Sequence, residues 1–164
     1  MGTYKLVNLQ TSKTRELTNS KTHELTTLQP YKLKNSNQQC MKKVICSQKA
    51  PGAIGPYSQA IEANGMVFIS GQLPIDAVTG VMAEGAEAQA RQSLENVKHI
   101  LEEAGLGMEN VVKTTVFLAD MSLFADMNKV YATYFDGAFP ARSAVAVKAL
   151  PKDALVEIEC IAVR

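Results

Sequence analysis

The run Ala154-Leu-Val-Glu-Ile-Glu-Cys-Ile-Ala-Val163 constrains the fold of this chain more than any other stretch. As a strand it points Val156, Ile158, Cys160 and Ala162 one way and Leu155, Glu157, Glu159, Ile161 and Val163 the other. Both sides are mostly apolar. Such a strand is rarely left with one face in water, so one side should meet helices and the other a second copy of the chain. The preceding run, Ser143–Ala149, has the same two-sided character. On this pattern Glu157 falls near a subunit boundary and Cys160 on the helix side, as a small buried hydrophobe.

The rest of the chain supplies the partners such a sheet needs. Asn64-Gly65 between Tyr57–Ala63 and Met66–Ser70 is a hairpin signal. Gly71–Gly85, with Pro74 and Thr79-Gly80, reads as loop, with a short strand at Val81-Met82. Ala90, Leu94, Val97, Leu101 and Ala104 recur every three or four residues, one face of a helix over about 86–104 that Gly105 closes. Val111–Leu118 reads as a strand. Asp120 or Ser122 then caps a second helix with Leu123, Phe124, Met127, Val130, Tyr131 and Tyr134 on its apolar side. A helix between two strands favours parallel pairing with a right-handed crossover, and the hairpin adds antiparallel edges. The expected fold is α+β: a mixed sheet with two helices packed on one face.

Residues 1–42 differ from the rest. They are rich in Thr, Asn, Gln, Ser and Lys without a sustained period, which reads as an extension or disordered segment, with the domain over 43–164. Met41 is a candidate internal start. An organellar transit peptide is the weaker reading, because there is one arginine and no clear amphipathic helix. Residues 1–40 carry six basic and two acidic side chains, leaving 11 basic and 14 acidic for the remainder. The acidic body argues against nucleic acid as its partner. Three cysteines without Cys-x-x-Cys spacing and two distant histidines, His23 and His99, offer neither a disulfide framework nor a metal site. No apolar run approaches the roughly 20 residues that span a bilayer, so the expected location is cytoplasmic.

The candidate chemistry lies near the C-terminus. Arg142 follows the stiff Phe139-Pro-Ala approach, at the entrance to one apolar run, and Glu157 and Glu159 interrupt the next. Guanidinium suits two-point capture of a carboxylate, and a strand carboxylate can handle a water or a proton. A surface salt bridge for Arg142 and a solvated strand position for each glutamate remain open on the residues alone. The expectation is that the cation and the carboxylates sit on neighbouring strands, apart from the core-side Cys160, where a second subunit closes over the sheet. Tyr57, after Gly55-Pro56, lines a pocket or simply packs. Ser70-Gly71 ends a strand where backbone can approach a ligand. There is no phosphate loop, and His99 gives a serine nucleophile no local support.

These residues form a family pattern. Ala53-Ile-Gly-Pro-Tyr-Ser-Gln59, Ile69-Ser-Gly-Gln-Leu-Pro74, Gln89-Ala-Arg-Gln-Ser-Leu-Glu-Asn-Val97, Val112-Lys-Thr-Thr-Val-Phe117, Phe139-Pro-Ala-Arg-Ser143 and Leu150-Pro-Lys-Asp153 with Val156-Glu-Ile-Glu159 resemble the RidA (YjgF) family of reactive-intermediate deaminases, in order, over about residues 43–164. The resemblance implies a chorismate-mutase-like fold and a homotrimer with a site in each intersubunit cleft. It implies hydrolysis of enamines and imines, such as 2-aminoacrylate, 2-iminopropanoate and 2-iminobutanoate, to 2-keto acids and ammonia. That activity protects pyridoxal-phosphate enzymes and needs no cofactor or metal. By position, Arg142 matches the arginine that grips the substrate carboxylate and Glu157 the glutamate that orients or activates water. Tyr57, Ser70, Gly71 and Asn128 match substrate-binding positions. One departure is Ala144, where many members carry cysteine. Two other classes stay in view: RNA binding with ribonuclease or translation-inhibitor activity, and a ligand-binding or chaperone-like module without turnover.

Overall fold

The computed structural model describes residues 42–164. The readings of residues 1–40 and of Met41 lie outside the described residues. Six strands form one sheet: β1 (Lys43–Ile45), β2 (Ala60–Ala63), β3 (Met66–Gln72), β4 (Val111–Leu118), β5 (Ala141–Ala146) and β6 (Val156–Val163). Among the described residues two α-helices, α1 (Ala86–Glu103) and α2 (Phe124–Tyr131), accompany the sheet. The sheet order is β1-β2-β3-β6-β4-β5. Among the described residues only β4 and β5 run parallel, joined across α2 as the crossover rule requires. The fold is the expected α+β arrangement, with both helices on one face.

Local chemistry explains the elements. Asn64 and Gly65 both take positive φ, 52° and 77°, the turn that matches strand twist in a two-residue hairpin. Helix α1 ends as its sequence indicates. Gly105 takes φ 69°, its N–H bonds the Glu102 carbonyl, and the Leu106 N–H bonds Leu101, closing the last carbonyls. Asp120 caps the next turn by accepting from the Ser122 N–H at 2.7 Å. The predicted apolar face of α1 is buried throughout and packs with Val67, Ile69, Val116, Val156, Ile158, Cys160 and Ala162 into one core.

Three details depart from the sequence reading. Strand β1 is an additional short edge paired with β2. Strand β5 begins at Ala141, directly after Pro140, so Arg142 lies inside it. The expected strand at Val81-Met82 is a single bridge between Ile75 and Met82.

The sheet face away from the helices is open in the single chain. Phe68 is 43% exposed and Val145 45%. Phe117, Ile161 and Val163 are only half-covered there. This is the two-sided apolar character of the last strands realised in space.

Candidate functional site

Arg142 and Glu157 do not meet within one chain. Strand β4 lies between their strands. The register also puts them on opposite faces: Arg142 aligns with Thr114 and Cys160, which are buried toward the helices, while Glu157 aligns with Phe117 and Val145 on the open side. Neighbouring strands and a shared face were therefore wrong expectations, because local alternation does not encode strand order. The candidate residues instead divide between two depressions.

The first is about 390 Å³ and is lined by Asn128, Tyr131, Ala132, Phe139, Pro140 and Arg142. The Arg142 guanidinium carbon lies 4.5 Å from the Tyr131 ring centre and 5.5 Å from that of Phe124. Among the described residues it has no ion-pair or hydrogen-bond partner. Its charge is thus not neutralised, and its edge donors point to no protein acceptor. Asn128 reaches the same depression one helical turn before Tyr131 and Ala132.

The second depression, about 380 Å³, is lined by Ile54, Tyr57, Ser70, Gly71, Leu73, Pro151 and Glu157. A register shift in the β3–β6 ladder falls at Ser70-Gly71, so these residues leave regular pairing. The Glu157 carboxylate occupies the space beside Gly71, where a methyl group would collide with its Oε1 and lie 2.9 Å from its Cδ. Only glycine admits the carboxylate there. Burial, and then the like charge of Glu159, hold the Glu157 carboxyl above the ordinary carboxylate range. A carboxyl shifted upward is a better proton acceptor near neutral pH than a free one. The Ser70 hydroxyl donates to the Ser58 carbonyl at 2.7 Å, keeping its lone pairs available as acceptors.

Buried amides hold the walls. The Gln59 Oε1 accepts from the Ser47 N–H at 2.7 Å, and its Nε2 donates to the carbonyls of Ser47, Ala50 and Pro51. This fixes the loop that carries Tyr57, which is why β2 starts only at Ala60. Asn96 Nδ2 donates to Leu73 and Ile75 carbonyls at 3.0 Å each. Gln89 bridges the Ala83 carbonyl and the Leu155 N–H beside β6.

Sequence reasoning put Tyr131 and Phe124 on an apolar helix face and missed their contact with Arg142. Their spacing of two helical turns was the available signal. Glu159 lies apart, with Phe68, Lys113 and Thr115, in a smaller depression of about 160 Å³ on the open face. Cys160 is core: burial pushes its thiol up to about 12. Among the described residues His99 bonds no side chain; its Nδ1 lies 3.0 Å from the Lys49 carbonyl oxygen. Among the described residues no cluster of His, Cys, Asp and Glu could hold a metal, and no helix is long and apolar enough to cross a membrane.

Comparison with known proteins identifies the family. The family model described as endoribonuclease L-PSP matches residues 47–164. The chain belongs to that family, RidA (YjgF). It is 54% identical over 127 residues to a 2-iminobutanoate/2-iminopropanoate deaminase of Salmonella typhimurium, a match covering 76% of this chain and 99% of the relative. Among solved structures it resembles E. coli TdcF with bound serine, at TM-score 0.73 and 50% identity, covering 74% of this chain and 98% of that one. The E. coli YjgF product gives the same values, TM-score 0.73 and 50% identity over 74% and 98%. The RidA assignment agrees with the motifs and with the mixed sheet and two helices of the fold.

Proposed function

We propose that this protein hydrolyses reactive 2-imino and enamino acids to 2-keto acids and ammonia, at sites formed between copies of the chain in a homotrimer. The observation that carries this reading is the divided site. An unneutralised arginine faces an apolar depression, and a carboxylate with raised proton affinity lies in another. Neither depression alone can hold a carboxylate and also hydrate an imine. The open apolar sheet face supplies the surface through which copies would join, bringing the Arg142 half of one against the Glu157 half of the next.

In such a cleft the Arg142 fork binds the substrate carboxylate through two parallel N–H donors. Tyr57, Ser70, Gly71 and Asn128 define the space for the imine and its side chain. Glu157 accepts a proton from water as the oxygen bonds to C2 of the imine, and the nitrogen takes up a proton. The resulting carbinolamine loses ammonia as Glu157 returns its proton to the nitrogen and the C–N bond breaks, and the hydroxyl proton passes to the solvent, replacing the one the solvent gave to the nitrogen, as the keto group forms. Atoms balance as imine plus water giving keto acid plus ammonia, and no cofactor enters. The imine carbon is already electrophilic, so positioning and a general base suffice, the latter contributing about 10²–10⁴-fold in typical enzymes. Ala144, two residues after Arg142, carries no thiol, so nucleophilic or thiol-regulated chemistry at that position is absent from the mechanism.

The test couples the full-length protein to a serine or threonine dehydratase reaction and follows keto-acid release. Wild type accelerates the release, and Arg142→Ala and Glu157→Ala do not. Equal rates for wild type and both variants would refute the assignment.

The ribonuclease description of the family model favours a second reading, RNA cleavage. The acidic body, with 14 acidic and 11 basic residues beyond position 40, opposes it. Salt-sensitive RNA binding that survives removal of residues 1–40 would support it instead.

A further inference from the structure

We infer that Tyr131, with Phe124, is a positioning residue that sets the orientation of the Arg142 guanidinium. This inference rests on the proposed role of Arg142 as carboxylate clamp.

A guanidinium can be held by its edge or by its faces. A carboxylate partner would hold the edge, neutralise the charge and occupy the donors that a substrate needs. Aromatic rings hold the faces and leave the fork free. This protein uses the second solution: both rings come from one face of α2, seven residues and two helical turns apart, at 4.5 and 5.5 Å from the guanidinium carbon.

The Tyr131 ring is itself fixed. It is 4% exposed, and its hydroxyl lies 2.7 Å from the Thr114 Oγ1, which is 1% exposed. Thr114 is the register partner of Arg142 on the adjacent strand. The contacts therefore close a circuit. Ladder bonds tie β5 to β4, a buried hydrogen bond ties β4 to the Tyr131 ring, and the ring stacks against the side chain that β5 carries. A shift of α2 relative to the sheet would break either the hydrogen bond or the stack. Phe135, its ring tilted 40° to that of Tyr131 with 4.8 Å between centres, adds a further neighbour.

The test measures binding of 2-oxobutanoate to the assembled full-length protein by titration calorimetry, alongside kcat and KM for imine hydrolysis. Tyr131→Leu weakens 2-oxobutanoate binding and raises KM about tenfold, with kcat within about twofold, the size of a partly desolvated cation–π contact. Tyr131→Phe, which keeps the ring, restores affinity to within about threefold of wild type. In an Arg142→Ala background Tyr131→Leu has no further effect. Where Tyr131→Leu does not fold, Phe124→Leu replaces it, with an expected loss of about threefold that likewise vanishes in Arg142→Ala. An equal loss with and without Arg142 would mean a purely structural role and overturn the inference, as would full affinity in Tyr131→Leu. If Arg142→Ala itself leaves 2-oxobutanoate binding unchanged, the carboxylate clamp fails and this inference falls with it. If only Arg142→Ala weakens binding, the clamp stands and the platform alone is refuted.

Discussion

Gly71→Ala separates catalysis from stability. Gly71 takes no left-handed backbone angle, so alanine fits its backbone without strain. The new methyl group collides with the Glu157 Oε1 and lies 2.9 Å from Cδ and 3.2 Å from Cγ, all on one mobile side chain. Restoring ordinary contact requires the carboxylate to move by about 1 Å or more, and misplacement of that size costs about 10²-fold in rate. The energetic cost to the fold is small. An altered rotamer costs about 0.5–1.5 kcal/mol, and the reduced freedom of the unfolded chain returns about 0.4–1 kcal/mol. Tm should therefore move by less than about 5 °C. The assay is steady-state keto-acid release from a dehydratase-generated imine, with Tm from differential scanning calorimetry. The expected result is kcat down about 100-fold, KM within about threefold because Arg142 is untouched, and no added loss when Gly71→Ala is placed on Glu157→Ala. If Gly71→Ala keeps kcat within threefold while Glu157→Ala abolishes it, the seat of the carboxylate beside Gly71 is irrelevant to catalysis.

Three further outcomes follow from buried and half-buried polar groups. Glu157→Gln should raise Tm at pH 7 while abolishing turnover, because the folded-state pKa lies above the ordinary 4.5. The folded chain then binds more protons than the unfolded one, stability falls as pH rises through that window, and the advantage of glutamine disappears well below pH 4.5; thermal melts across pH check this. Ser93→Ala should leave stability unchanged or raise it by up to about 1 kcal/mol, since the buried Ser93 Oγ finds no hydrogen-bond partner among the described residues; urea unfolding reads the change. Gln59→Ala should cost about 2–4 kcal/mol and raise KM, because it orphans the Ser47 N–H and three carbonyls and releases the loop carrying Tyr57; urea unfolding and kinetics on one sample decide both parts.

The legible parts of the fold are those whose information is local. Helix α1 could be read from Ala90 through Ala104 because a long stripe has one period, and its end from Gly105. The hairpin was written in Asn64-Gly65, and the two faces of β6 in its alternation. Strand order was not local. That β6 inserts between β3 and β4 depends on which apolar edges meet in space, and so does the side on which Arg142 emerges. Strand β1 is three residues long, too short to show a period. The Tyr57 loop was unreadable for another reason: its conformation is set by one buried amide, Gln59, from within the run expected to be strand. For the site, residue types pointed to Arg142 and Glu157 as candidates, and family motifs chose among them. The platform of Tyr131 and Phe124 stayed hidden because an aromatic helix face reads as core whether or not a cation rests on it.

Placing the two depressions on opposite faces of one sheet also has a genetic meaning. On the proposed assembly, a chain damaged at Glu157 still carries a sound Arg142 half, and the reverse holds for a chain damaged at Arg142. Where two such copies meet, one junction joins both sound halves. Two alleles, each inactive alone, would then complement each other in a cell that expresses both. Selection would act on the fit between the two faces of a chain, since every inherited change appears in every cleft of the assembly at once.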